Sequence, residues 1–155
     1  MYKLNHGMRG VILTAYKTSL NDGVIGIYEG QAPANPKDAE TGALLVWITQ
    51  DGQPFTPGQP DNGLSLDVIT HEDTLSVLSK TAGENWAGPG LSNGQAGYWR
   101  YYDNSRITGA STVSVRIQGS VGLANADMIL GSVNVKVGVP VTVNEFNITK
   151  LMTRQ

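Results

Sequence analysis

Cysteine is missing from this 155-residue chain, and histidine occurs only twice. The first absence excludes disulfide staples, thiolate metal sites and a cysteine nucleophile. The second leaves little for histidine-based catalysis. His6 falls on a helical segment and His71 in the turn "THED", neither in a Gly-x-Ser-x-Gly or comparable setting. The consecutive residues of "HED" point in different directions, and no His-Glu-x-x-His, Asp-x-Asp-x-Asp-Gly or phosphate-cradle order is found. No metal and no cofactor is therefore expected. Charge is scarce as well, at 15% of residues against roughly 25% in ordinary soluble domains. No Lys/Arg cluster forms a stripe that could track phosphates, so no nucleic-acid partner is expected. No apolar run approaches the roughly 18 residues of a membrane span. The run "VILTAY" at 11–16 is short for the core of a secretory leader, and no Ala-x-Ala-like site follows it. Neither membrane association nor a leader is expected.

What the chain does contain is apolar mass and turns. Hydrophobic residues make up 40% of it, with Gly 19 and Pro 7. That suffices for one domain with its own core, built from many short elements. The net charge of −2 is unevenly spread: +3 over residues 1–20, −8 over 21–84 and +3 over 85–155. Solvated loops account for such a map, and so does complementarity between copies in an assembly.

Residues 3–20 read as a helix with Leu4, Met8, Val11, Ile12, Ala15 and Tyr16 on one face. "NDG" at 21–23 stops it. Residues 1–22 are thus a helix or arm, and 23–155 a β domain. Strand signals follow at "GVIGIYEG" (23–30), "ALLVWIT" (43–49), "LSLDVI" (64–69), "TLSVLSK" (74–80), the stretch around 96–104, "SVRIQGSVG" (114–122), "MILGSVNVKVG" (128–138) and "VTVNEFNIT" (141–149). In the last, Val141 and Val143 share one parity while Phe146 and Ile148 share the other, which predicts a β-bulge near Asn144–Glu145. About eight strands at roughly ten-residue spacing read as an all-β sandwich or barrel. A jelly roll of two sheets fits the count.

The densest local feature is "AGYWRYYDN" at 96–104. On a strand, Trp99 and Tyr101 point one way and Tyr98, Arg100 and Tyr102 the other. The first pair is expected in the core, with Trp47, Val133, Val135 and Phe146. The second set is expected to form an outward strip. Tyr and Arg are enriched in protein interfaces, so Tyr98, Arg100 and Tyr102, together with the basic Lys3 and Arg9, are candidate contact residues. Stacking on a saccharide is a second use of such a strip.

Several phrases follow one another along the chain: "DGVIGIYEGQAP" (22–33), "AETGALLVWIT" (39–49), "LSKTAGENWAGPG" (78–90), "GQAGYWRYYDN" (94–104) and "VPVTVNEFNIT" (139–149). This order resembles a group of small virion structural proteins of tailed bacteriophages, over roughly residues 4–149. The group's Gly-x-Ala-Gly-aromatic-aromatic-Arg pattern matches Gly94, Ala96, Gly97, Tyr98, Trp99 and Arg100, while Tyr101 and Tyr102 extend it. The resemblance implies an all-β, two-sheet β-sandwich of jelly-roll type with no catalytic residues. It implies a capsid decoration or cement protein on the virion surface, bound to the major capsid protein, often as a homo-oligomer and specifically a trimer. A post in the tail or at the head–tail junction is the second possibility.

Overall fold

The computed structural model of the chain describes residues 2–70 and 76–149. His71, the "HED" turn and the start of "TLSVLSK" lie outside the described residues, as does the tail from 150 onward. The helix α1 spans His6–Leu20, later than expected, because the Asn5 side chain caps it by accepting from the Met8 amide at 2.9 Å. Its exit uses Asp22 in the left-handed conformation (φ 57) rather than Gly23. Gly23 is needed for a different reason: a Cβ there would lie 2.2 Å from the Tyr102 carbonyl oxygen.

Ten strands follow: β1 Val24–Glu29, β2 Leu44–Gln50, β3 Leu66–Ile69, β4 Val77–Lys80, β5 Trp86–Pro89, β6 Gly94–Tyr102, β7 Arg116–Gly122, β8 Met128–Leu130, β9 Asn134–Val135 and β10 Pro140–Ile148. Hydrogen-bonded neighbours run β10–β5–β2–β1–β6–β7–β8 and return to β10. The seven strands therefore close a barrel. The expected two-sheet β-sandwich of jelly-roll type is not what forms, because closure leaves one continuous sheet instead of two stacked ones. All neighbours in the ring are antiparallel except β7 and β8. The β3–β4 hairpin extends outward from the end of β10, and β9 adds to the start of β6.

The expected bulge is found where the phase of the last strand changes, with a register shift between Val143 and Glu145. The run 128–138 is not one strand. It breaks after Leu130 into β8, which pairs with β7 and β10, and β9, which pairs with β6. Of the two valines expected in the core, Val135 is buried and Val133 only partly, while Val137 is exposed. The strand β5 carries no period-two signal, being "WAGP".

Inside the barrel, Phe146 holds the aromatic core together. Its ring packs against Trp99 at 4.9 Å, Trp86 at 5.3 Å and Tyr101 at 6.1 Å. Ile25 and Ile27 of β1 and Val46 and Ile48 of β2 complete the lining. Trp47, expected in this core, has the opposite parity. It lies half-buried on the outer surface, edge-on to Tyr102 at 5.7 Å. The helix packs on the β3–β4 hairpin through Leu13, Tyr16 and Leu20, and Lys17 reaches Asp67 at 3.4 Å. That face is rotated from the one expected: Met8 and Val11 are exposed, Val11 by 65%. No helix among the described residues is long and apolar enough to cross a membrane.

Replacing Phe146 by Ala removes the ring shared by three aromatic neighbours. The expected cost is about 3–5 kcal/mol of unfolding free energy, read from urea unfolding followed by tryptophan fluorescence.

Candidate functional site

Strand parity places Tyr98, Arg100 and Tyr102 on the outer face of the barrel, away from Trp99 and Tyr101. They are nonetheless buried, and the outward strip predicted from the sequence is corrected: Arg100 is 0% exposed. Two irregular segments cover it. Residues 30–43, between β1 and β2, form a strap, and residues 103–115 link β6 to β7. Glycines seat the strap at both ends. A Cβ on Gly97 would lie 1.8 Å from the Gly30 carbonyl oxygen, and one on Gly42 2.0 Å from that of Glu29. No other residue allows so close a backbone approach.

Beneath the strap is a polar cluster with one carboxylate at its centre. Glu40 accepts from Arg100 Nη1 at 3.1 Å, Tyr102 Oη at 2.6 Å and the Gly109 amide at 2.8 Å, and Arg116 Nη1 lies 3.7 Å away. Because the Tyr102 proton goes to Glu40, Tyr28 donates to Tyr102 across 2.7 Å. Tyr28 also stacks on Tyr98 at 5.1 Å. Arg100 directs its Nε and Nη2 at Gln118 Oε1, and its Nη1 also reaches the Asp38 carbonyl. Arg116 donates to the carbonyls of Lys37, Ile107, Gly109 and Ser111, while its Nε has no partner. Gln118 and Tyr98 hold the strap at the Pro33 and Thr41 carbonyls.

Burial alone would raise the Glu40 pKa. The bonds from Tyr102 and the backbone, with the Arg100 charge, outweigh it and hold the carboxyl below its ordinary value of 4.5. Burial pushes the Tyr28 phenol up to about 12, and burial with the neighbouring carboxylate pushes Tyr102 higher still. At neutral pH the cluster thus holds the Glu40 carboxylate, two guanidiniums and the neutral phenols of Tyr28 and Tyr102. Its polar groups are directed at the protein's own loops and act as a clamp.

The remaining interface candidates do not join this cluster. Lys3 is exposed ahead of the helix and Arg9 is half-buried in its first turn, on an element that packs against β3 and β4. Sequence reasoning missed Glu40, Arg116, Gln118 and Tyr28. The one usable signal was an arginine inside a strand of large apolar residues, which requires a partner when buried.

A second feature lies at the barrel end. The Gly90 amide donates to the Val139 carbonyl at 3.0 Å, the Gly138 amide to that of Gly90 at 2.8 Å, and the Val137 amide to Asn93 Oδ1 at 3.0 Å. This backbone knot gathers Leu91, Val137 and Val139, all exposed. Ile107, Val113 and Val115 on the 103–115 segment are exposed as well, Val113 by 87%. No group of three potential metal-ligating side chains occurs among the described residues. No family model matches the chain, and no curated protein or solved structure matches it.

The sign of the Glu40 contribution follows from its lowered pKa. Its stabilisation is complete above 4.5 and is lost as pH falls through the lower folded value. Tyr102→Phe removes a bond to the charged carboxylate and should cost about 1.5–3 kcal/mol at neutral pH. Because that bond also lowers the Glu40 pKa, the folded and unfolded values lie closer together in the variant, so acid should cost it less stability than it costs the wild type, over a narrower range that starts at the same pH. Urea unfolding across the acid range checks both.

Proposed function

We propose that this chain is a structural subunit of a tailed-bacteriophage particle, a capsid decoration or cement protein that binds the shell of the major capsid protein. The observation that carries this is the knot at the barrel end, where Leu91, Val137 and Val139 stand exposed together on a hydrogen-bonded backbone. Apolar side chains grouped on a rigid surface mark a contact site more often than chance exposure does. The ordered phrases that resemble virion proteins supply the identity of the partner. The jelly roll they implied did not form, so the proposal takes its partner from them and not its fold. A cement subunit needs no chemistry: it binds the assembled shell and stabilises it by mass action, and a trimer is the expected state on a symmetric lattice. A place in the tail or at the head–tail junction is the alternative for the same contact surface.

The saccharide reading required Tyr98 and Tyr102 to offer their faces to solvent. Both are buried under the strap, and it is not carried forward.

Purified protein added to undecorated heads should bind them and raise their melting temperature. Val139→Lys should weaken that binding by about tenfold or more, the loss expected when a contact residue is replaced by a charge, and leave the protein's own melting temperature unchanged. Copies found only in isolated tails, with no binding to heads, would favour the alternative.

A further inference from the structure

The barrel and the strap are held by different forces. No residue from 30 to 43 and none from 103 to 115 belongs to the apolar core. Side-chain hydrogen bonds from Tyr98, Arg100, Arg116 and Gln118 fasten the strap to the barrel, and its ion pairs with the barrel meet at Glu40. Two guanidiniums, one per strand, depend on that single carboxylate: Arg100 of β6 and Arg116 of β7. Neither arginine can leave its strand, whereas Glu40 sits on a segment with no regular structure.

We propose that the strap, residues 30–43, is a carboxylate latch: protonation of Glu40 lets it lift with the 103–115 segment while the barrel stays folded. Lifting uncovers the face made by Tyr28, Tyr98, Arg100 and Tyr102. Once neutral, Glu40 leaves two buried positive charges uncompensated, and the cheapest relief is to hydrate them. Opening of a segment in isolation is the ordinary behaviour of elements with few apolar contacts.

The other charged and titratable groups around Glu40 do not replace it. Tyr28, Tyr98 and Tyr102 face it from β1 and β6. On the strap, Lys37 and Asp38 pair with each other at 3.7 Å. From the 103–115 segment, Arg106 turns to the Trp47 and Phe55 rings at 5.1 and 5.6 Å, and Asp103 is engaged by Ser105. Glu40 is therefore the one carboxylate within ion-pair distance of either buried arginine among the described residues.

Amide hydrogen exchange read residue by residue tests this. The reporters are the amides of Asp38, Thr41, Gly109 and Ser111, which bond within the strap, to Tyr98, to Glu40 and to the strap backbone respectively. The controls are Ile25 and Ile27 in β1. Between about pH 7 and about pH 3, the reporters' protection, corrected for intrinsic rate, should fall by about tenfold or more while the controls keep theirs. In Glu40→Gln the reporters should have the low protection already at neutral pH, with the controls unchanged. Joint loss of reporters and controls in acid, or wild-type reporter protection in Glu40→Gln, would overturn the latch. If Glu40→Gln does not fold, the wild-type acid series decides alone by the same separation.

Discussion

Along its nine residues β10 bonds to three strands in turn: β5 through Pro140–Thr142, β8 through Val143–Phe146 and β4 through Asn147–Ile148. A regular strand has only two edges and a fixed parity. The extra residue at Asn144 bends the strand and resets its phase, so that Val141, Val143 and then Phe146 all turn inward. Phe146 consequently reaches the rings of Trp86, Trp99 and Tyr101. Closure of the ring, its aromatic filling and the attachment of the β3–β4 hairpin that carries α1 all depend on this one irregularity.

A closed barrel has an outer face that must be wet or covered. Here part of it is covered by loops, and the cover is polar where the interior is apolar. That division explains why β6 is buried on both faces over Tyr98–Tyr102. One row fills the barrel and the other row is capped by backbone carbonyls and one glutamate. A buried arginine is costly to desolvate unless its donors are met. Arg100 meets that condition with Gln118, Asp38 and Glu40, spreading its three nitrogens over β7 and the strap. The covering segments are long and carry little regular structure, so without these bonds nothing would fix their path.

Much of this was legible in the sequence, and the limits are physical. Period-two alternation assigns side chains to faces, so it separated Trp99 and Tyr101 from Tyr98, Arg100 and Tyr102, and the phase change at Asn144 located the bulge. Alternation has the same form in a sandwich and in a barrel, so it could not show that β8 and β5 meet on the same strand. Nor does parity reveal whether an outward face is covered. Glu40 and Arg100 are sixty residues apart, and no local pattern links an acid in a proline-bearing loop to a strand arginine. The helix failed for a related reason: several apolar residues on α1 offered two overlapping faces, and the hairpin selected the one through Leu13 and Leu20.

The clamp also affects what the surface can do. The 103–115 segment would be a mobile loop if left alone, and ordering a mobile loop at an interface costs about 0.5–1.5 kcal/mol for each side chain immobilised. Arg116 donates to the carbonyls of Ile107, Gly109 and Ser111 in this segment and of Lys37 on the strap, Glu40 accepts from the Gly109 amide, and Ser111 donates to the strap at Lys37. Ile107, Val113 and Val115 are thereby presented on a backbone that has already lost its freedom on folding. The buried polar cluster that looked in the sequence like an outward strip thus fixes the surface that lies over it.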